Sequence, residues 1–500
     1  LNQQTLLPDS SKIDNEMPAR TDAHTSVPRY SYYALAVLSL VNFLNYIDRQ
    51  VLPAVAPAML EDKELGLTHS ELGYIEAALL LSFTVLAPLF GYLGDLRART
   101  KLMASAAIIW SVATAVTGFI DKLPLLPASL SVKIPLIHAT IAMSGGALGI
   151  CIVRAIVGVG ESSYSTITPS LIADYFPPQR RATALGVFQA AIPMGFALGF
   201  VIGGVLANFF GWRLAFTIVG VPGIIAAALV WRLNEPKRGA TDEPQPQTAL
   251  EEIEIAPAQT AEALQHVDVK ESWLRTVWKI LTTRDWLLST AGYTALTFAL
   301  GAFATWSTVL LVEDKGMSKT QAAITLGIVS LLGGAVGTFG GGWLADRVAA
   351  KRHNAYFLVC AIATLLGIFP TLLALISHQP WLYLPAIFFA VLLLFISNAP
   401  FHAILVNSVP TLVRATAVAL NIVIIHTFGD AISRAAVGVL SDSLKAGGLA
   451  NLALLARAVG IDSSRQHLSA ALLIAPIALL ISTLFFFWGA RAQKKRSGSV

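Results

Sequence analysis

Runs of about twenty mostly apolar residues alternate with short polar connections along this chain, and twelve such runs can be traced. In the first half they begin near Ser31, Ser70, Leu102, Thr140, Arg181 and Trp212. In the second half they begin near Trp286, Lys319, Ala355, Trp381, Val413 and His467. A helix needs about 20 apolar residues to cross ~30 Å of hydrocarbon, so each run predicts a transmembrane helix. Barrel strands are excluded, because the runs are too long and lack period-two alternation. The expected fold is an all-α membrane protein with twelve transmembrane helices.

The pattern breaks in the middle. Residues 234–284 turn polar, with Glu235-Pro236-Lys237-Arg238, then Pro244 and Pro246, then Glu251-Glu252. They read as a linker between two six-helix bundles, residues 30–233 and 285–491. Within the linker, Ala249 to Lys279 are expected to form surface helices, with Trp273 and Trp278 at the membrane interface. Residues 1–29 hold Asp9, Asp14, Glu16 and Asp22 and lack the apolar centre of a signal peptide, so they read as a disordered tail. Residues 492–500 form a basic tail at the other end.

Composition supports this reading. The chain is 55% hydrophobic and 13% charged, about half the charged share with which a soluble protein covers its surface. The net charge of +5 does not point to nucleic acid, because the basic residues sit in short clusters between apolar runs. Those clusters orient the chain. With both termini, the linker and the even-numbered connections on one side, that side collects roughly 23 Lys and Arg against about 9 on the other, which makes it cytoplasmic. The expected setting is the inner membrane of the cell. Cys151 and Cys360 fall in apolar segments and offer no disulfide framework. No metal-ligand cluster or nucleophile–base arrangement has usable spacing, and Gly158-Val-Gly160 is too short for a phosphate loop and lies inside a span. Neither an enzyme nor a metal or cofactor is expected.

The two halves repeat one another. Gly91-Tyr-Leu-Gly-Asp95 closes the second span as Gly342-Trp-Leu-Ala-Asp346 closes the eighth. Arg181-Ala-Thr-Ala184 opens the fifth span as Arg414-Ala-Thr-Ala417 opens the eleventh. Such duplications underlie transporters that rock one half against the other around a central site.

The glycine–aspartate pattern followed by basic residues resembles the major facilitator superfamily over nearly the whole chain. That resemblance implies a cytoplasmic gate built from Gly91, Asp95, Arg97 and Arg99, with Asp346 and Arg347 in the second copy, stapling the halves together. Asp95 would pair with basic groups and a neighbouring helix N-terminus. Leu96 and Ala98 depart from the pattern, and an ordinary anchoring cluster is the alternative. Three longer strings, Leu44-Asn-Tyr-Ile-Asp-Arg49, Val85 to Asp95 and Arg154 to Pro169, resemble the spinster family of lipid transporters. This second resemblance implies a compact, bacterial relative carrying an amphiphile with an anionic head, such as a lysophospholipid or sphingolipid.

Candidate chemistry lies where charge interrupts an apolar run. Asp48 and Arg49 lie in the first span, Arg154 and Glu161 in the fourth, Asp430 and Arg434 in the eleventh. Ionised side chains are costly in hydrocarbon and usually face a protein-lined, watery cavity. Spans three, six, nine and twelve carry no interior charge and are expected at the periphery. Asp48 and Arg49 point about 100° apart, so each needs a partner on another helix. Asp48 is a candidate proton carrier or half of a permanent ion pair. Arg154 offers a planar fork for a phosphate or carboxylate head, or pairs with Asp48. Glu161 is a second proton carrier or a counter-charge, and Arg49 a charge partner. Asp430 with Arg434, or with His426, suits a structural pair within one helix. Glu76 reads as a rim charge, and His402 as a hydrogen-bonded core histidine or a proton carrier; both, with Tyr46, Tyr164, His426, Asp430 and Arg434, are candidates to line the cavity. Tyr46, Phe83, Tyr164, Phe188, Phe298, Phe303 and Trp306 either coat a cavity wall or pack helices together. The expected function is a monomeric, proton-coupled secondary transporter of an amphiphile, with membrane lipids around it. A carrier of a small hydrophilic solute or drug is the alternative.

Overall fold

The computed structural model describes residues 27–122, 127–134, 139–241, 273–410 and 413–497. Among the described residues, ten helices are long and apolar enough to cross a membrane. Two features bring the crossings to twelve. The helix Pro178–Trp231 breaks at Gly211, with φ 80° and ψ 160°, a conformation that glycine adopts without a Cβ penalty. It supplies the fifth and sixth spans. The first helix, Arg29–Leu60, has the length of a span, but Asn42, Asn45, Asp48, Arg49 and Gln50 dilute its apolar content.

The second, third and fourth spans are His69–Leu96, Arg99–Thr117 and Gly145–Tyr175. The seventh, eighth and ninth are Arg284–Glu313, Lys319–Ala349 and Ala355–Ile376. The tenth joins Pro380–Ile396 to Asn398–Asn407. The eleventh runs from Arg414–Ile424 through a π-helical turn, Ile425–Ala431, into Ile432–Lys445. The twelfth joins His467–Ala471 to Ile474–Ser497. Side chains set several of these boundaries. Thr68 and Glu71 form a reciprocal capping box at the second span, while Ser144 and Ser318 cap the fourth and eighth.

Two expectations need correcting. The fourth span starts at Gly145 rather than near Thr140, because Ala139–Ser144 pairs antiparallel with Ser129–Ile134 in a small hairpin, Ser129 opposite Ser144. Val132, Ile134 and Ile141 are β-branched residues suited to such a strand pair. The twelfth helix continues to Ser497 through residues expected to form a tail, since Ala, Gln, Lys and Arg are all good helix formers. Of the linker helices, Trp273–Thr282 is described, with Trp278 exposed. The rest of Ala249 to Lys279 and most of the N-terminal tail lie outside the described residues.

Spans three, six, nine and twelve present exposed apolar side chains, among them Ile109, Ile225, Phe369 and Leu484, as lipid-facing helices should. The two halves meet at the face opposite the linker. A Cβ on Gly73 of the second span would stand 2.6 Å from the Arg434 carbonyl oxygen of the eleventh. Gly204 packs against Ala323 of the eighth span in the same way. Toward the linker face, Gly91, Gly186 and Gly340 look onto open space, and Val85 and Tyr92 are exposed. The crevice between the halves is closed at the far face and open toward the linker.

One polar cluster fastens the far face of the first half. Asp62 Oδ2 accepts from Trp212 Nε1 at 3.0 Å and from Arg213 Nη1. Arg213 Nη2 also donates to Asp121 Oδ2 at 2.6 Å. Burial alone would raise the Asp62 carboxyl, but the bonds from Arg213, Trp212 and the Leu65 amide reverse that and bring it to about 2. An unfolded aspartate titrates at about 3.9. The folded group sits lower, so its stabilisation is complete above about pH 5 and fades as pH falls toward 2. Asp62→Asn should therefore lower thermal stability in detergent at pH 7, on the order of 1 kcal/mol after solvent screening, and should flatten the loss of stability between pH 5 and 3. An unchanged acid profile in the variant would contradict this assignment.

Candidate functional site: crossed ion pairs beside a central cavity

A cavity of about 320 Å³ lies between the halves. Tyr46, Arg49, Gln50, Glu76 and Arg154 line it from the first half, and Phe303, Ser307, His426, Asp430 and Arg434 from the second. Leu79, Phe196, Phe200 and Leu300 make much of the remaining wall apolar.

The charges beside this cavity form two crossed pairs. The first span carries Asp48 and Arg49 in sequence, about 100° apart around the helix. The fourth carries Arg154 and Glu161 seven residues apart, two turns along one face. Arg154 Nη1 donates to Asp48 Oδ1 at 3.4 Å. Arg49 Nε donates to Glu161 Oε2 at 2.6 Å. Thr114 of the third span donates its hydroxyl to Asp48 Oδ2. Gly160 permits this density of charge, because a Cβ there would stand 2.6 Å from the Ala106 carbonyl of the third span.

Exposure separates the four groups. The side chains of Arg154, Asp48 and Glu161 are 1%, 4% and 0% exposed, whereas Arg49 is 16% exposed. Its guanidinium carbon lies 4.8 Å from the Phe83 ring centre and 5.2 Å from that of Tyr46, within cation–π range. Arg154 Nε and Glu161 Oε1 are buried without a hydrogen-bond partner among the described residues. Each pair therefore keeps an unused polar atom.

The eleventh span departs from expectation. Asp430 does bond His426, Nδ1 to Oδ2 at 2.8 Å. Arg434 does not pair with Asp430; its Nη1 donates across the halves to Glu76 Oε2 of the second span. Glu76 is no rim charge either, at 2% exposure. Both corrections have one cause. Gly73 brings the second and eleventh helices so close that both charges lose water, and each is the other's nearest opposite charge.

The remaining candidates divide. Tyr46 and Phe303 line the cavity, and Phe83 lies under Arg49. Tyr164 is buried against Trp110 and Phe188 and donates to the Leu38 carbonyl, away from the lining. Trp306 stacks on His69 at the far face. Phe298 is half-buried and His402 exposed, beside the stacked Tyr293 and Phe401 rings; neither lines the cavity.

Among the described residues, the gate residues do not join the halves. Asp95 is 80% exposed and pairs with Arg238 of the linker at 3.3 Å. Gly91 faces open space and Arg97 is exposed. Arg99 is buried and bonds Asp174 at 2.6 Å and Glu235 at 3.1 Å. Asp346 accepts from the Tyr356 hydroxyl at 3.0 Å, and Arg347 lies over Trp343. At the far face an equivalent contact is engaged. Asp442, at the end of the eleventh span, accepts from the Ser70 amide at 2.7 Å and its hydroxyl at 2.6 Å, where the second helix begins and its dipole favours an anion.

Sequence reasoning missed Thr114 and Asp442. A lone hydroxyl in a charge-free span carries no signal. Asp442 does carry one, because an acidic residue in the last turn opposes its own helix dipole and so suggests service to another helix.

Comparison with known proteins agrees with this architecture. The Major Facilitator Superfamily description matches residues 38–433. Protein spinster homolog 1 of Homo sapiens is 30% identical, over 84% of this chain and 74% of its own length. The sphingosine-1-phosphate transporter SPNS2 of Danio rerio is 29% identical, over 91% of this chain and 82% of its own. Protein spinster of Drosophila melanogaster is 28% identical over 84% of this chain, which spans 63% of that protein. Among solved structures, a bacterial homologue of the human lysosomal transporter spinster, in an inward-facing and occupied conformation, superposes with a TM-score of 0.72. It is 20% identical, over 93% of this chain and 97% of that one. A D-xylose–proton symporter superposes with a TM-score of 0.62 at 17% identity, over 90% of this chain and 97% of that one. The chain belongs to the spinster family of the major facilitator superfamily: it is an integral, multi-pass membrane transporter, and not an enzyme.

Proposed function

We propose that this transporter couples the movement of an amphiphile with an anionic head to protons, by alternating access, as a monomer in the inner membrane with its linker face in the cytoplasm. The observation that carries the reading is the crossed pairs, in which Arg49 and Arg154 both line the cavity but Arg49 is the more exposed, 16% against 1%. An anionic head entering from the open side competes with Glu161 for Arg49, whose planar fork can hold two oxygens of a phosphate or carboxylate at once. With Arg49 engaged, Arg154 is the one cation left beside two buried carboxylates, Asp48 and Glu161. One cation cannot neutralise both, and an unpaired buried carboxylate takes a proton instead. Arg154 holds Asp48 by the longer contact, 3.4 Å against 2.6 Å; it turns to Glu161, which has lost Arg49, and Asp48 is the group that takes the proton, with Glu161 as its counter-charge. The apolar wall of Leu79, Phe196, Phe200 and Phe303 accommodates the chain of the amphiphile. The Danio rerio relative, by name a sphingosine-1-phosphate transporter, supports that substrate class.

In this mechanism the gate residues Gly91, Asp95, Arg97, Arg99, Asp346 and Arg347 close the linker face when the far face opens. A second reading, a small hydrophilic solute, is favoured by one observation. The cavity volume of about 320 Å³ is at the low end for drug-sized ligands.

Three outcomes test the proposal. Charge-assisted bonds contribute about 1.5–3 kcal/mol, so Arg49→Ala should weaken lysophospholipid binding by about tenfold or more and spare an uncharged monoacylglycerol. Equal losses for both ligands, or preferential binding of a polyol, would remove Arg49 as head anchor. Arg154→Ala should cost about 3 kcal/mol of stability by stranding Asp48, and adding Asp48→Asn should recover much of the thermal melting temperature; no recovery would mean that the two do not act as a pair. Asp48→Asn alone should abolish accumulation driven by a pH gradient in proteoliposomes, with ligand affinity within about threefold of wild type. Intact coupling in that variant excludes Asp48 as the carrier.

A further inference from the structure

The far-face closure brings together side chains that lie hundreds of residues apart and that the central site does not use. His69 opens the second span, Glu313 ends the seventh and His467 opens the twelfth. His69 Nε2 lies 3.1 Å from Glu313 Oε2, and His467 Nε2 lies 3.6 Å from the same oxygen. One ligand atom from each of the three residues falls within 4.8 Å of the others. Donors about 2.1 Å from a shared tetrahedral ion stand roughly 3.4 Å apart, so two of the three separations already bracket that spacing. His467 Nε2 is buried and accepts or donates no hydrogen bond among the described residues.

The surroundings resemble those of a metal ligand set. Asp442 Oδ1 lies 3.3 Å from His69 Nδ1, the carboxylate–imidazole contact that fixes the tautomer and turns the other ring nitrogen toward a metal. The His69 ring is also held by stacking on Trp306, 5.5 Å away and tilted by 25°. Two imidazoles and one carboxylate suit zinc, with water in the fourth position. The ligands are divided between the halves: His69 belongs to the first, Glu313 and His467 to the second.

We propose that His69, Glu313 and His467 form a zinc site that staples the halves together at the far face. Zinc bound there stabilises the state closed at that face and open toward the linker, and so inhibits exchange. Only this state assembles all three ligands, so the metal acts as a conformational inhibitor rather than a cofactor.

Isothermal titration of the purified full-length protein with Zn²⁺ alone tests the site. The expected result is one ion per chain, with affinity reduced about tenfold or more in His69→Ala, in His467→Gln and, through lost orientation, in Asp442→Asn. Thermal melting of each variant without metal checks that it is folded, and at one Zn²⁺ concentration the melting temperature should rise more in the wild type than in any variant. Spin labels at Lys63→Cys and Lys445→Cys, one on each half, read the staple directly: Zn²⁺ should narrow their separation to the closed distance. Absence of stoichiometric binding, or binding retained in a folded His69→Ala, overturns the site. Binding that leaves the label distance distribution unchanged overturns the staple.

Discussion

Hydrocarbon does not tolerate an unpartnered charge, and that prohibition organises this molecule more than any other single factor. Each ionisable group beside the central cavity has found an opposite on another turn or another helix. Asp48 takes Arg154, Arg49 takes Glu161, Glu76 takes Arg434 and Asp430 takes His426. The first two pairs lock the first span to the fourth, within one half. The third crosses between the halves. Buried ion pairs of this kind contribute little net stability relative to apolar packing, yet losing one partner is strongly destabilising. They specify where the helices sit and leave the arrangement sensitive to any new charge that enters.

The two ends of the crevice carry similar helix-end carboxylates, one engaged across the halves and the other not. At the far face, glycines at 73 and 204 let helices of opposite halves touch, and Asp442 rests on the N-terminus of the second helix. At the linker face, Asp95 is turned to solvent and bonds only Arg238 among the described residues. An acidic residue at one helix end and an orphaned set of amides at another attract each other wherever they meet. In the proposed mechanism, exchanging one such contact for the other would move the opening from face to face without exposing a charge to lipid.

Much of the fold was legible because lipid imposes length and apolarity on every span. The start of the eighth, ninth and twelfth helices fell at Lys319, Ala355 and His467, as the pattern of the sequence indicated. The hairpin before the fourth span was not legible, since Ala139–Ser144 is as apolar as the helix it precedes. Charges inside spans marked the site, and spacing indicated the His426–Asp430 pair but not the partner of Arg434. Asp430 and Arg434 stand one turn apart, a spacing that suggests a pair, yet the approach allowed by Gly73 gave Arg434 a better partner 358 residues away. His69, Glu313 and His467 sit at helix ends, where polar residues are ordinary, so only their convergence in space distinguishes them.

The central claim is that an anionic head takes Arg49 from Glu161 and that a buried carboxylate then takes a proton. The most direct test is an infrared difference spectrum of the purified protein, recorded as a lysophospholipid binds. The account predicts a new protonated-carboxyl C=O band on binding, present in the wild type and missing in Asp48→Asn. A spectrum with no carboxyl change, or with the same band in that variant, would contradict it.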